Sequence, residues 1–196
     1  MKKVLLLLFT LASVMCYAAQ NSATEDSGVV INGVRWATRN VDAPGTFAAN
    51  PESAGQLFQW NRQQGWVAAD AVSGWNSDPA SGRDWESANN PCPPGWRVPT
   101  QAELQGLLSS GGTWTRQNRV RGTLFGTAPN QLFLPAVGWR AASDGSLHNA
   151  GTRGGYWSST QRGSTTSFAL WIRQEESVIN HYNRARGFSV RCVVDI

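Results

Sequence analysis

The residues with the clearest capacity for chemistry fall late in the chain. Between Tyr156 and Arg186 it reads Tyr156-Trp157-Ser158-Ser159-Thr160-Gln161-Arg162, then Trp171-Ile172-Arg173-Gln174, then Asn180-His181-Tyr182-Asn183-Arg184. Aromatic rings offer large contact area at small entropic cost, and guanidinium forks give directional hydrogen bonds. The combination suits recognition of a sugar or a polar protein surface. The candidate ligand-binding set is Gln161, Arg162, Trp171, Arg173, His181, Tyr182, Asn183 and Arg184, joined by Trp139 and Arg140. Trp171 and Arg173 alternate with the apolar Phe168, Leu170 and Ile172, so they are expected on the opposite face of a strand. Trp157 is expected to pack in the core.

Catalytic patterns are missing from the sequence. His148 and His181 belong to no H-E-x-x-H, and there is no G-x-S-x-G, P-loop or G-x-G-x-x-G. Single, distant cysteines form no zinc knuckle. The chain reads as non-catalytic, with no cofactor and no metal site. Asp78, Asp84 and Glu86 lie in a Gly/Pro/Ser loop whose oxygens could hold calcium. Their spacing matches no EF-hand, and a solvated acidic loop with Arg83 pairing locally is the preferred reading.

Composition narrows the partner class. The 196 residues include ten Trp, 20 Gly and 9 Pro, too aromatic a mixture for disorder. The only lysines are Lys2 and Lys3, and 15 Arg stand against 13 acidic residues. Without its first residues the chain is near neutral with scattered Arg, which lacks the clustered cationic stripe of a nucleic-acid binder. Glycine precedes Trp66, Trp75, Trp96 and Trp139 at unequal intervals, so this is no repeat protein.

Residues 1–18 read as a bacterial secretory signal: Lys2-Lys3, then the apolar Val4–Ala12, then cleavage after Ala18. The apolar run is too short for a stable transmembrane anchor. The alternative is lipidation of Cys16, although Met15 stands where a small residue is wanted. The expected location is periplasm, outer-membrane surface or extracellular space. Loss of Cys16 leaves Cys92 and Cys192, which an exported chain is expected to join; the alternative is two buried free thiols.

The elements that must position these groups follow a 19–28 flexible leader, within a 29–196 domain. Val29 to Val41 reads as a strand or hairpin turning at Asn32-Gly33. Ala54 to Trp60 suggests a short helix. Thr100-Gln101-Ala102-Glu103 is a capping box opening a helix with Leu104, Leu107 and Leu108 on one face, stopped at Gly111-Gly112. Thr166–Arg173 and Gly187–Asp195 alternate as strands, the latter with Phe188, Val190, Cys192 and Val194 on its core face. The expected class is α+β, with small antiparallel sheets, one or two helices and long loops.

Six segments occur in an order that resembles a known family. They are Val34-Arg35-Trp36-Ala37-Thr38-Arg39-Asn40-Val41, Gly55-Gln56-Leu57-Phe58-Gln59-Trp60, Pro91-Cys92-Pro93-Pro94-Gly95-Trp96-Arg97-Val98-Pro99-Thr100, Leu134-Pro135-Ala136-Val137-Gly138-Trp139-Arg140, Gly155-Tyr156-Trp157-Ser158-Ser159-Thr160 and Gly187-Phe188-Ser189-Val190-Arg191-Cys192-Val193. Together they resemble the Fibrobacter succinogenes major paralogous domain family of exported proteins. The resemblance implies a C-type lectin-like fold, with paired N- and C-terminal strands, helices flanking a small sheet, and long loops carrying the ligand site. It also implies a bridge from Cys92 to Cys192.

Calcium-bridged lectins of that fold use Glu-Pro-Asn or Gln-Pro-Asp with Trp-Asn-Asp. The first is absent and Trp75-Asn76-Ser77 only half matches the second, so no calcium-bridged site is expected. The Tyr156–Val193 segment also resembles retroelement-diversified variable proteins, whose variable positions match the Arg162–Arg184 stretch. The functional expectation is an exported module binding a glycan or surface protein. The alternatives are a structural or accessory subunit of a surface assembly such as a filament tip, and an oxidase resembling formylglycine-generating enzymes, whose chemistry needs a reactive cysteine pair.

Overall fold

The computed structural model describes residues 23–69 and 71–195. The expected signal segment and the first part of the leader lie outside the described residues. The rest of the leader is tied down. The Asp26 carboxylate, 1% exposed, accepts from the Thr38 N–H (3.1 Å), from Thr38 Oγ1 (2.9 Å) and from Arg39 Nε (3.1 Å).

β1 (Val29–Ile31) and β2 (Val34–Trp36) form the expected hairpin, with φ of +50° at Asn32 and +81° at Gly33. This is the I′ geometry that Asn-Gly favours. β3 (Gln56–Gln59) and β4 (Gly65–Val67) form a second hairpin, so the helix expected over 54–60 is a strand. Leu57, Phe58, Gln59 and Trp60 are all buried. A short run covered on both faces has no period that separates strand from helix; pairing of Phe58 with Phe188 decides it.

β5 (Trp96–Arg97) leads to α1 (Gln101–Ser109). The capping box is present: Thr100 Oγ1 accepts from the Glu103 N–H (3.2 Å), and Glu103 Oε2 accepts from the Thr100 N–H (2.6 Å). Leu104 and Leu107 are buried and Leu108 packs at the edge. β6 (Gly112–Gln117), β7 (Val120–Thr127) and β8 (Asn130–Pro135) make a meander. β9 (Trp139–Arg140) and β10 (Leu147–His148) make a short hairpin. β11 (Arg153–Gln161), β12 (Thr166–Arg173) and β13 (Ser177–Asn183) make a second meander, and β14 (Gly187–Phe188) and β15 (Val193–Val194) follow.

Four antiparallel sheets result, in the orders β1-β2-β15-β5, β10-β9-β14-β3-β4, β6-β7-β8 and β11-β12-β13. Among the described residues the fold is mainly β, with 42% strand and 8% helix. This overturns the expected α+β, C-type lectin-like class with flanking helices. Residues 112–135 and 153–183 go into meanders whose strands satisfy one another locally, and 139–148 go into a hairpin, so the chain after α1 is built from strands rather than a second helix among the described residues.

The two ends of the domain do pair: Val193 lies opposite Trp36, and the Ala37 and Val41 N–H groups donate to the Cys192 and Val190 carbonyls (2.9 and 3.0 Å). Cys92 and Cys192 are joined across a separation of 100 residues. A loop of that size has a chain-entropy contribution of up to roughly 4–5 kcal/mol. The bridge fits an oxidising, non-cytoplasmic compartment. Among the described residues no helix is long and apolar enough to cross a membrane.

β12 separates two core clusters. Leu170 and Ile172 meet Leu104 and Leu107 of α1 together with Phe125 and Leu134. Ala169 and Trp171 point the other way, into a tryptophan-rich cluster with Trp60, Trp85, Trp157 and Phe188. The alternation is the one read from the sequence, but both faces of this central strand are covered. Trp171, expected to be open for ligand contact, is therefore 8% exposed.

Candidate functional site

At the edge of the tryptophan-rich cluster, two hairpins and the turn into β14 bring together an aromatic ledge with one arginine on it. Trp139 and His148 are register partners in β9–β10, and their rings stack at 4.8 Å. The Ser146 hydroxyl lies 2.9 Å from His148 Nε2 and holds that ring. In β12–β13, Tyr182 stacks on Trp171 at 5.4 Å. β14 pairs with β9 at Gly187 opposite Arg140, which places Arg186 and Phe188 on the face occupied by Trp139. The Arg186 guanidinium lies 4.4 Å from the Trp139 ring centroid and 5.5 Å from that of Tyr182. The strands approach closely because residue 187 is glycine: a Cβ there would stand 2.9 Å from the Arg140 Cβ.

Arg186 is half-buried, yet among the described residues its side chain has no carboxylate partner and no hydrogen-bond acceptor. Desolvation lowers its pKa from the ordinary arginine value, opposed by the Tyr182 phenol. Burial raises the pKa of Tyr182, opposed by Arg186 and Arg173. At neutral pH the guanidinium is charged and the phenol is not. Cation–π contact with two rings, each worth about 0.5–1 kcal/mol, holds the plane of the guanidinium. Its uncommitted N–H groups can then grip a carboxylate, phosphate or sulfate bidentately, or donate to sugar hydroxyls. Trp139 Nε1–H is buried nearby with no acceptor.

The turn that carries Arg186 is fixed from beneath. Arg184 is fully buried and lies 4.0 Å over the Trp60 ring. Its fork donates to the carbonyls of Ala80 (3.0 Å), Gly82 (2.9 Å) and Gly163 (2.6 Å), and its Nε to Ser167 Oγ (3.1 Å). Gln59 Nε2 donates to the Ala185 carbonyl (2.8 Å), and Asn183 Oδ1 accepts from the Ala185 N–H (2.8 Å). The Arg186 N–H closes the turn on the Asn183 carbonyl (3.0 Å).

The residues singled out from the sequence scatter accordingly. Trp139 and Tyr182 belong to the ledge, and Trp171 lies beneath it. Arg184 is a staple, not a free donor, and so is Arg140, which is fully buried and donates to the carbonyls of Gly145 (2.6 Å), Ala69 (2.8 Å) and Val67. Gln161 accepts from Arg184 (3.2 Å). Arg173 pairs with Glu176 and Glu175. His181 is exposed but sits opposite Phe168, so it projects from the other face of the sheet than Tyr182. Arg162 is exposed in the β11–β12 turn, and exposed Asn183 shapes the 183–187 turn. Among the described residues no three His, Cys, Asp or Glu side chains converge as metal ligands, and Asp78, Asp84 and Glu86 form no such cluster.

Sequence reasoning missed Arg186 and His148. The available signal for Arg186 was the period of two running back from Phe188, which puts both on one face. For His148 there was none, because its place is set by the β9–β10 register.

A family described as a domain of unknown function (DUF8237) matches residues 114–193, which contain every ledge residue. That segment is under half of the chain, and the chain is similar to the family over that stretch. No curated protein and no solved structure matches the chain.

Proposed function

We propose that this protein is an exported, non-catalytic ligand-binding module of a bacterial cell envelope, recognising a glycan or protein surface at the Arg186 ledge without a calcium bridge. The observation that carries this reading is the uncommitted fork of Arg186, held over Trp139 and Tyr182 on a turn that Arg184 and Gln59 pin. Binding groups preorganised in this way lose little entropy on meeting a ligand. The Lys2-Lys3 and apolar N-terminus and the disulfide support export. The six ordered motifs support kinship with the Fibrobacter succinogenes major paralogous domain family.

The test is a glycan array together with surface-protein pulldowns on the full chain, its disulfide intact. At least one interaction is expected, weakened about tenfold by Arg186→Ala, the loss of one charge-assisted contact. If every detected interaction survives both Arg186→Ala and Tyr182→Ala unchanged, the ledge is not the site.

A further inference from the structure

The β6–β7 hairpin carries a second group of uncommitted arginines. Arg116, Arg119 and Arg121 are all exposed, and none has a side-chain ion pair or hydrogen bond among the described residues. Arg116 and Arg121 are direct cross-strand partners, and like charges in that position repel. Glu52 lines one cavity with Arg119 and Arg121 and accepts from Gln117 Nε2 and from Asn118 Nδ2 (2.9 Å), but it forms no ion pair with either arginine, so its one charge offsets the three only in part.

The turn adds strain. Asn118 and Arg119 have φ of +45° and +72°, an I′ turn whose second position favours glycine. Five described non-glycine residues have positive φ; four are Asn and the fifth is Arg119. The chain thus keeps arginine where glycine fits more easily, with two arginines beside it that no ion pair engages. Half-buried Trp114 lies two residues before Arg116 on the same strand face.

One carboxylate against three guanidinium groups leaves the tip net positive, and an anion would neutralise it. We infer that the β6–β7 tip is a second binding site, separate from the Arg186 ledge, for a polysaccharide bearing carboxylate, sulfate or phosphate groups. Arg116 and Arg121 face the charged substituents, Arg119 extends the row beyond the turn, and Trp114 offers an apolar surface to a sugar ring. The disulfide places the chain away from the cytoplasm, which favours an acidic polysaccharide over a nucleic acid as the polyanion.

The experiment titrates the full chain, disulfide intact, with dextran sulfate, polygalacturonate, neutral dextran and a DNA duplex. Binding is expected to at least one acidic polysaccharide and not to neutral dextran, with log affinity falling linearly in log salt. The double variant Arg116→Ser/Arg121→Ser should weaken it about tenfold or more. Arg119→Gly should weaken binding while raising Tm, a combination that damaged folding does not produce. Arg186→Ala should leave this binding unchanged. The inference is overturned if neither acidic polymer binds, if neutral dextran binds equally, or if DNA binds as tightly as the polysaccharide. It is overturned equally if the hairpin variants bind as the parent does, or if Arg186→Ala abolishes binding and so assigns the anion to the ledge.

Discussion

Arg184 and Arg186 stand two residues apart in opposite environments. Arg184 is fully buried and commits its fork to three backbone carbonyls and the Ser167 hydroxyl. Arg186 is half-buried with its N–H groups uncommitted over two aromatic rings. The contrast extends through the molecule. Arg140 and Arg191 are buried like Arg184; Arg191 donates to Asn40 Oδ1 (3.0 and 2.7 Å) and the Ala37 carbonyl, and burial lowers its pKa to about 10. Arg116, Arg119 and Arg121 are open like Arg186. One residue type therefore does two jobs: stapling long loops through their carbonyls and presenting charge outward. A planar fork reaches several carbonyls at once and an ammonium does not, which gives a physical reason for a domain with many arginines and no lysine.

The sharpest way to break the comparison is at Arg184. Arg184→Ala strands the Ala80, Gly82 and Gly163 carbonyls and uncovers Trp60, and should cost about 3–5 kcal/mol in urea denaturation. Arg184→Lys should recover less than half of that. If either substitution costs no more than Arg186→Ala, the division into staples and open arginines is wrong.

Arg97 is an intermediate case, paired bidentately with Glu103 (2.9 and 2.7 Å) at the capping box. Burial raises the Glu103 pKa, but Arg97 and the Thr100 cap outweigh it and the net shift is downward from 4.5. A depressed carboxylate stabilises the fold above its unfolded pKa and loses that contribution as pH falls through the folded one. Glu103→Gln should therefore cost about 1 kcal/mol at neutral pH. The gap to the parent, followed by denaturant midpoint, should close as pH drops below 4.5; a gap that persists in acid would mean the carboxylate charge is irrelevant.

Arg186→Ala should change stability by less than about 1 kcal/mol, because desolvation of the guanidinium offsets part of its two ring contacts, while ligand binding falls. The smallest effect has the opposite sign. Arg119→Gly should stabilise the fold by roughly 0.5 kcal/mol, relief of left-handed strain offset by the entropy of glycine, and calorimetry would detect a lower Tm as its contradiction.

Local chemistry was legible. The Thr100–Glu103 box, the Asn32-Gly33 turn, the alternation of β12 and the Cys92–Cys192 pair depend on neighbours in sequence or on cysteine count, and each stands in the structure. The site was half legible. Trp139 and Tyr182 carry the right chemistry in the right place, but Trp171 is covered because β12 is flanked by β11 and β13 and packed on both faces. Alternation states which residues share a face and not whether a second layer closes over it.

By itself the sequence determined the caps, the turns, the strand periods and the supply of arginine and tryptophan, because these follow from bonding within a few residues. The tertiary structure alone decided which arginine became a staple. The Ala80 and Gly82 carbonyls that enclose Arg184 lie 104 and 102 residues away in the chain, and no local pattern specifies a carbonyl arriving from that distance. The same long-range pairing of β14 with β9 lifted Arg186 onto Trp139. A buried donor must find acceptors wherever the fold brings them, so the division between staple and open fork belongs to the fold.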